Sequence, residues 1–409
     1  MVDHAPARSG SLAGTGFWHL WITAVSFALI ASADRFTFIW LVDDTLGSPT
    51  WASGLIVFAL GAPVFALVLT AGALTDRLDR KRMLLVTQGA GLAVVALGAV
   101  LVWTGVISLA LAVLLALGFG TVAAFAMPVR SSLVPVLVGR ERVMQAVVMM
   151  TIGANVAMIA GPLLVGGVID AFGVGWAFAV QALCFAFGFT AATRIDVPPH
   201  PPVIERRRLR AEVAEAVSFV WRHEVLRPLF ALLCVGGGLM GGGSFTLLPQ
   251  IARDEFGRSA SEAARLFALM GLGMIITSLM LMRFRSRLRR RGLVFMAFMV
   301  AGTANQVLQG WAPTFALLQV LLLLWGLTGG FYMNLNQSLI QELTPQDRMG
   351  RVMALNSLVQ AGLMPIGGLL AGVLAQWIGA SVTLSLFGAA GLASVLIALL
   401  RADALRALP

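Results

Sequence analysis

The chain has 409 residues, 59% hydrophobic and 12% charged, with a mean hydropathy of +0.89. Soluble domains carry about 25% charged residues, so a water-soluble globular protein of this size is excluded. Apolar runs of about 20 residues, enough to cross a ~30 Å hydrocarbon core as a helix, mark a multi-spanning helical membrane protein. A net charge of +10 and a pI of 11.3 would suggest a nucleic-acid partner in a soluble chain; here the placement of the charge decides.

Apolar runs read against their breaks predict twelve spans, at about 17–41, 51–74, 84–103, 107–128, 144–169, 174–194, 227–250, 263–282, 292–311, 314–338, 352–377 and 380–401. The first is too long for the apolar core of a signal peptide and carries Asp34-Arg35, so it is expected to be retained as helix 1. With the N-terminus inside, 25 of the 29 basic residues fall in cytoplasmic segments, Arg130 among them. Arg253, Arg258 and Arg265 fall outside, and Arg35 lies within a span. The opposite orientation reverses this bias, so both termini are expected in the cytoplasm, at a plasma or inner membrane. The basic pI then reports topology, and no nucleic acid is expected as a partner. Lys81 is the sole lysine, an arginine bias that fits a high-GC bacterial source.

Helix 1 carries two ionisable residues inside its span, Asp34 and Arg35. A charge at that depth costs ~2.5–3.5 kcal/mol on insertion scales and faces a cavity or a partner. Adjacent helical residues point about 100° apart, so these two need not pair. They are candidates for proton coupling, unless helix 1 emerges early and leaves both at the outer interface. The turn between helices 2 and 3 reads GALTDRLDRKR. Gly72 permits close helix contact, Asp76 suits the positive end of another helix, and Arg77, Arg80, Lys81 and Arg82 can bridge to carboxylates or headgroups. Helix 5 carries Gly153, Gly161-Pro162 and Gly166-Gly167, small residues for close packing and a proline that frees a backbone group.

The longest connection, 195–226, opens with DVPPHPPV, continues through RRRLR and ends in a segment that reads as an amphipathic helix on the inner membrane surface. It divides the chain into a six-helix bundle at 1–194, a linker, and a second six-helix bundle at 227–409. A shift of 206 residues places Ser132 on Ser338, Leu137 on Leu343, Gly161 on Gly367 and Gly166 on Gly372, an internal repeat of about half the chain. Helix 7 contains GGGLMGGGSF at 236–245, read either as a gating bend or as close packing. The second-half counterpart of the 2–3 turn, MLMRFRSRLRRR, has Met282 in the place of Asp76. Asn155, Tyr332, Asn336, Asn356 and Gln360 are candidate substrate contacts, although each alone is more often an interhelical hydrogen bond. Cys184, Cys234 and four scattered histidines have no metal-ligand spacing, so no metal is expected.

The GALTDRLDRKR turn resembles the signature of the major facilitator superfamily. SADRFTFIWLVDDTLGSPTWASGL, SSLVPVL with IAGPLLVGG, AEVAEAVSFVWRHEVLRPLF, and QSLIQELTPQDRMGRVMAL with PIGGLLAGVLA resemble its branch of enterobactin and macrolide exporters. The resemblance implies an all-α membrane fold of twelve helices in two six-helix pseudo-repeats, with Asp76 docked near the start of helix 11 as part of a conformational switch. Asp79 stands where the family usually has glycine. The helix 5 residues are similar to the glycine-proline motif of exporters, one residue longer in spacing and with Ala157 for a glycine. The expected function is secondary active export of amphipathic small molecules (a siderophore, macrolide or other drug) by alternating access as a proton antiporter. Protons and membrane lipids are expected partners, the carrier is expected to be a monomer, and no cofactor is expected. The alternatives are an importer or facilitator of a metabolite and an integral-membrane lipid-modifying enzyme. No Walker loop supports direct use of ATP, and no nucleophile–base cluster supports the enzyme.

Overall fold

The computed structural model of the chain describes residues 16–197, 209–284 and 290–408, and within these the side chains of all but 68, 69, 72, 73, 75–77, 140, 209–212 and 284. Its first crossing is α1 (Phe17–Trp40), continued by a π-turn at Leu41–Thr45. There follow α2 (Trp51–Arg77), α3 (Arg80–Trp103), α4 (Leu109–Val138), α5 (Val143–Phe172) and α6 (Val174–Thr193). The linker helix α7 (Leu209–Arg222) precedes a composite seventh crossing. This is α8 (Leu226–Cys234), a π-helix at Val235–Gly242, α9 (Gly243–Gln250) and a π-turn at Ile251–Glu255. Then come α10 (Ala260–Phe284), α11 (Arg291–Gln309), α12 (Phe315–Leu343), α13 (Gln346–Ile378), α14 (Ala380–Arg401) and the short α15 (Asp403–Arg406). Among the described residues eleven helical segments are long and apolar enough to span a membrane, and α2 adds a shorter apolar stretch, Trp51–Leu67. Gly16 and Leu408 lie at one end of the bundle, the near end, and the opposite end is the far end.

The pseudo-repeat is visible in the caps. Ser108 and Thr314, 206 residues apart, accept from the backbone N–H three residues on and start α4 and α12. Gly173 and Gly379, again 206 apart, have φ of 88° and 85° and make the sharp turns from α5 to α6 and from α13 to α14. Both positions require a residue without a Cβ penalty at positive φ.

Two readings of the sequence change. The fourth span does not stop near 128: α4 runs to Val138 with Pro128 and Pro135 inside it. Lost backbone bonds of this kind are tolerated where neighbouring helices re-satisfy the freed groups. Arg130 is therefore no loop residue. It is 4% exposed, donates from Nη1 to Ala126 O at 3.0 Å and lies 4.3 Å over the Phe27 ring. The glycine-rich seventh crossing stays helical in π form and packs tightly: a methyl group at Gly242 would lie 2.7 Å from the Gly367 backbone of α13. Close packing is what Gly236, Gly242 and Gly243 serve, and the π geometry leaves a bend at this crossing open.

The linker helix forms and docks on the first turns of α13. Ala216 and Val220 are buried, Glu215 pairs with Arg351 at 2.5 Å, and Arg348 lies 4.9 Å over Phe219. The stretch 198–208, with most of DVPPHPPV and RRRLR, lies outside the described residues, as does 285–289 of the second arginine-rich turn.

Candidate functional site

One stripe of α1 faces the interior of the first six helices. Thr23, Phe27, Ile30, Asp34 and Thr37 follow helical spacing and are all buried. Phe27 stacks with Phe119 of α4 at 6.2 Å between ring centroids and carries the Arg130 guanidinium. Thr37 Oγ1 accepts from Gln181 Nε2 of α6 at 2.8 Å. Asp34 lies between them at 0% exposure, and neither carboxyl oxygen has a hydrogen-bond partner among the described residues. It lies about 26 Å along the 29-residue apolar helix Phe17–Thr45 at 1.5 Å per residue. A buried polar group without a hydrogen-bond partner is costly.

Arg35, about 100° round the helix, turns to the other half of the molecule. Its guanidinium lies 5.0 Å over Phe245 of α9, and the adjacent Phe36 meets Phe267 of α10 edge-on at 5.9 Å. Asp34 and Arg35 therefore serve different surroundings: one sits inside the first bundle, the other at the junction of the two.

The halves meet along α2–α13 and α5–α10, and the contacts gather toward the far end. A methyl group at Gly54 would fall 2.7 Å from Gly368 O, so α2 and α13 touch backbone to backbone there. Asp43, on the π-turn after α1, is 5% exposed and accepts from Ser53 Oγ and from Gln250 Nε2 of α9, the latter at 3.1 Å. Gln250 Nε2 also reaches Thr50 O at 3.4 Å, so one amide of the second half bridges α1 and α2 of the first. Asp170, near the end of α5, caps α10: it accepts from Ser259 Oγ at 2.7 Å, Ala260 N at 2.9 Å and Ser261 N at 3.0 Å. Toward the near end the same faces part. Asn155 and Thr151, on the α5 stripe that touches α10 further along at Ile159 and Gly166, are exposed.

The remaining sequence candidates fall in several places. Gly153 meets Trp21 and Val25 of α1, and a methyl group at Gly161 would strike Ser32 and the Leu29 carbonyl, so α5 lies bare against α1. Pro162 is buried, Gly166 abuts Ala264 of α10, and Gly167 faces open space. Tyr332 sits over Gly236 with Phe295 beside it at 5.9 Å. Asn336 and Asn356 are buried with unpartnered amide oxygens, and Gln360 is half-buried. Gly72, Asp76 and Arg77 lie in the last turns of α2, and their side chains are outside the described residues. Asp79 caps α3 by accepting from Arg82 N at 2.6 Å, which gives this aspartate a local role where glycine is usual. Arg80 approaches Ser132 O at 3.5 Å, and Lys81 is half-buried.

Asp43, Gln250, Asp170 and Arg130 were not singled out from sequence. The acidic pair Asp43-Asp44 just before a Gly-Ser-Pro turn was a usable signal, because Asp254-Glu255 precede Gly257 in the second half at the equivalent place.

Among the described residues the apolar helices form two joined halves, with a buried acid in the first and cross-half hydrogen bonds gathered at the far end, an arrangement that fits a membrane transporter. Residues 7–407 match the family described as transmembrane secretion effector, and the chain belongs to that family of major facilitator transporters. It is not an enzyme. Enterobactin exporter EntS of Shigella boydii serotype 18 is 26% identical over 308 residues, covering 74% of this chain and 72% of the relative. The Citrobacter koseri protein of the same name is similar to the same extent. Among solved structures, the nucleoside transporter NupG superposes with a TM-score of 0.77 at 12% identity, over 95% of this chain and 99% of that one. A POT family transporter with 5-aminolevulinic acid superposes at 0.76 and 12% identity, over 95% and 96%. These two establish the shared fold.

Proposed function

We propose that this transporter exports amphipathic small molecules of the siderophore, macrolide or drug type by alternating access, in exchange for protons. The observation that carries the reading is Asp34, a fully buried carboxyl without a hydrogen-bond partner, in a chain whose relatives are named as exporters. Residues 1–194 and 227–409 act as two bodies joined by the linker 195–226. With both termini cytoplasmic, the near end is the cytoplasmic end, and the arrangement described is one that receives substrate from inside. Exposed Asn155 on α5 and the polar pairs Tyr332–Asn336 and Asn356–Gln360 supply the substrate's hydrogen bonds. A proton reaches Asp34 when water enters from the far side and leaves toward the near side, coupling one ion to each cycle. Asp76 and the basic turn that follows it close the near end in the opposite state.

Reconstitution into proteoliposomes tests this directly. A panel of siderophores, macrolides and cationic dyes is measured with and without an imposed pH gradient. Uphill movement that follows the gradient and is absent without it supports proton exchange. Movement that only equilibrates, whatever the gradient, contradicts it and favours a facilitator.

A further inference from the structure

At the near end of the second half, α8 and α14 enclose a groove of about 490 Å³, within the ~300–1,000 Å³ range of small-ligand sites. Two stripes line it. Arg227, Ala231 and Val235 recur every four residues on α8 and its π-continuation, and Ser394, Ala398 and Arg401 recur on α14. Each stripe begins with an arginine at the membrane boundary and runs inward as small or apolar residues. The groove lies beside outward-facing apolar surface, with Ile397 54% and Leu400 74% exposed. Both arginines are exposed, and no ion pair reaches either among the described residues. Two acids share the mouth. Asp403 is engaged by Arg406 at 2.5 Å, which leaves Glu224 as the free carboxylate.

Two free guanidinium groups on adjoining helices suit a phosphate, since arginine donates paired hydrogen bonds to its oxygens. The apolar stripes below them suit acyl chains. A carboxylate beside the phosphate site suits a cation with N–H groups to donate. We propose that this groove binds a phospholipid of the phosphatidylethanolamine class, with its phosphate on Arg227 and Arg401 and its ammonium on Glu224. A choline headgroup has no N–H for Glu224, and a glycerol headgroup brings no positive charge to it. The site lies apart from Asp34 and from the seam between the halves, so lipid occupancy is read without any transport measurement.

The test is native mass spectrometry of the full-length protein in detergent, titrated with phosphatidylethanolamine, phosphatidylcholine and phosphatidylglycerol of identical dioleoyl chains. The wild-type protein binds phosphatidylethanolamine about threefold more tightly than phosphatidylcholine, the effect of one solvent-exposed charge-assisted hydrogen bond. Glu224→Gln brings the two lipids to equal affinity. The double variant Arg227→Gln/Arg401→Gln weakens all three, as does Ala398→Trp, which fills the apolar floor; thermal melts confirm that each variant is folded. Equal binding of ethanolamine and choline lipids by the wild type overturns the proposal. So does an ethanolamine preference that survives Glu224→Gln, or stronger binding of phosphatidylglycerol than of phosphatidylethanolamine.

Discussion

Asp170 ties the end of α5 to the start of α10 through three hydrogen bonds, and Asp170→Ala removes all of them. Two N–H groups at the N-terminus of α10 are then left to water. The carboxylate is exposed, so its attraction to the helix end is screened. The capping range of ~0.5–2 kcal/mol therefore applies, and not that of a buried ion pair. Because the clasp exists with the far end closed, its loss weakens that state alone. A loss of ~1.4 kcal/mol raises the population of a minor far-end-open state about tenfold. Ile159 packs against Gly271 beneath this seam, so Ile159→Cys, with Cys184→Ser and Cys234→Ser, reports the opening. A membrane-impermeant maleimide added from the far side is expected to label the Asp170→Ala variant about tenfold faster, the population shift worked above. Asp170→Asn, which keeps one acceptor oxygen, falls between. An unchanged labelling rate in a normally stable Asp170→Ala protein would refute the clasp.

Gly54→Leu drives a side chain into the Gly368 carbonyl and Gly372 Cα of α13, backbone that has no room to yield. Overpacking of ~1–3 kcal/mol is expected to open the far end in the same labelling assay, while Gly167→Ala, which faces open space, leaves it unchanged. Gly173→Ala and Gly379→Ala each force a Cβ into the positive-φ, extended-ψ region at a cost of ~1–3 kcal/mol; matched drops in thermal stability are expected, and a drop in one alone would break the structural equivalence of the repeats. Arg77→Ala is expected to impair transport more than Arg283→Ala at equal expression, because the second-half turn has Met282 where the first has Asp76. Equal losses would mean that both turns act through topology alone.

The order and limits of the helices were largely legible because each apolar run matches a membrane thickness and each turn carries a charge or a glycine. The 206-residue repeat was legible for the same reason, and the caps Ser108 and Thr314 make it physical. The end of α4 was not, because Pro128 and Arg130 read as a break until a packed neighbour, Phe27, is known to cover the arginine. Asp43 and Asp170 stand near helix ends. Their significance lies in partners 207 and about 90 residues away, Gln250 and the first turn of α10, and no local spacing encodes that pairing. Asp34 was found by its depth in an apolar run, whereas the burial of its carboxyl away from hydrogen-bond partners among the described residues comes only from the packing of α1 against its neighbours.

The central claim is that Asp34 carries the coupled proton, and one measurement tests it most directly. Asp34→Asn keeps size and polarity but does not ionise. In proteoliposomes, with a neutral substrate identified from the panel, exchange at equilibrium and pH-driven uphill export are followed side by side for wild type and variant. The account predicts that Asp34→Asn retains exchange and loses uphill export. Full gradient-driven export by Asp34→Asn at normal expression would contradict it and place the coupling elsewhere.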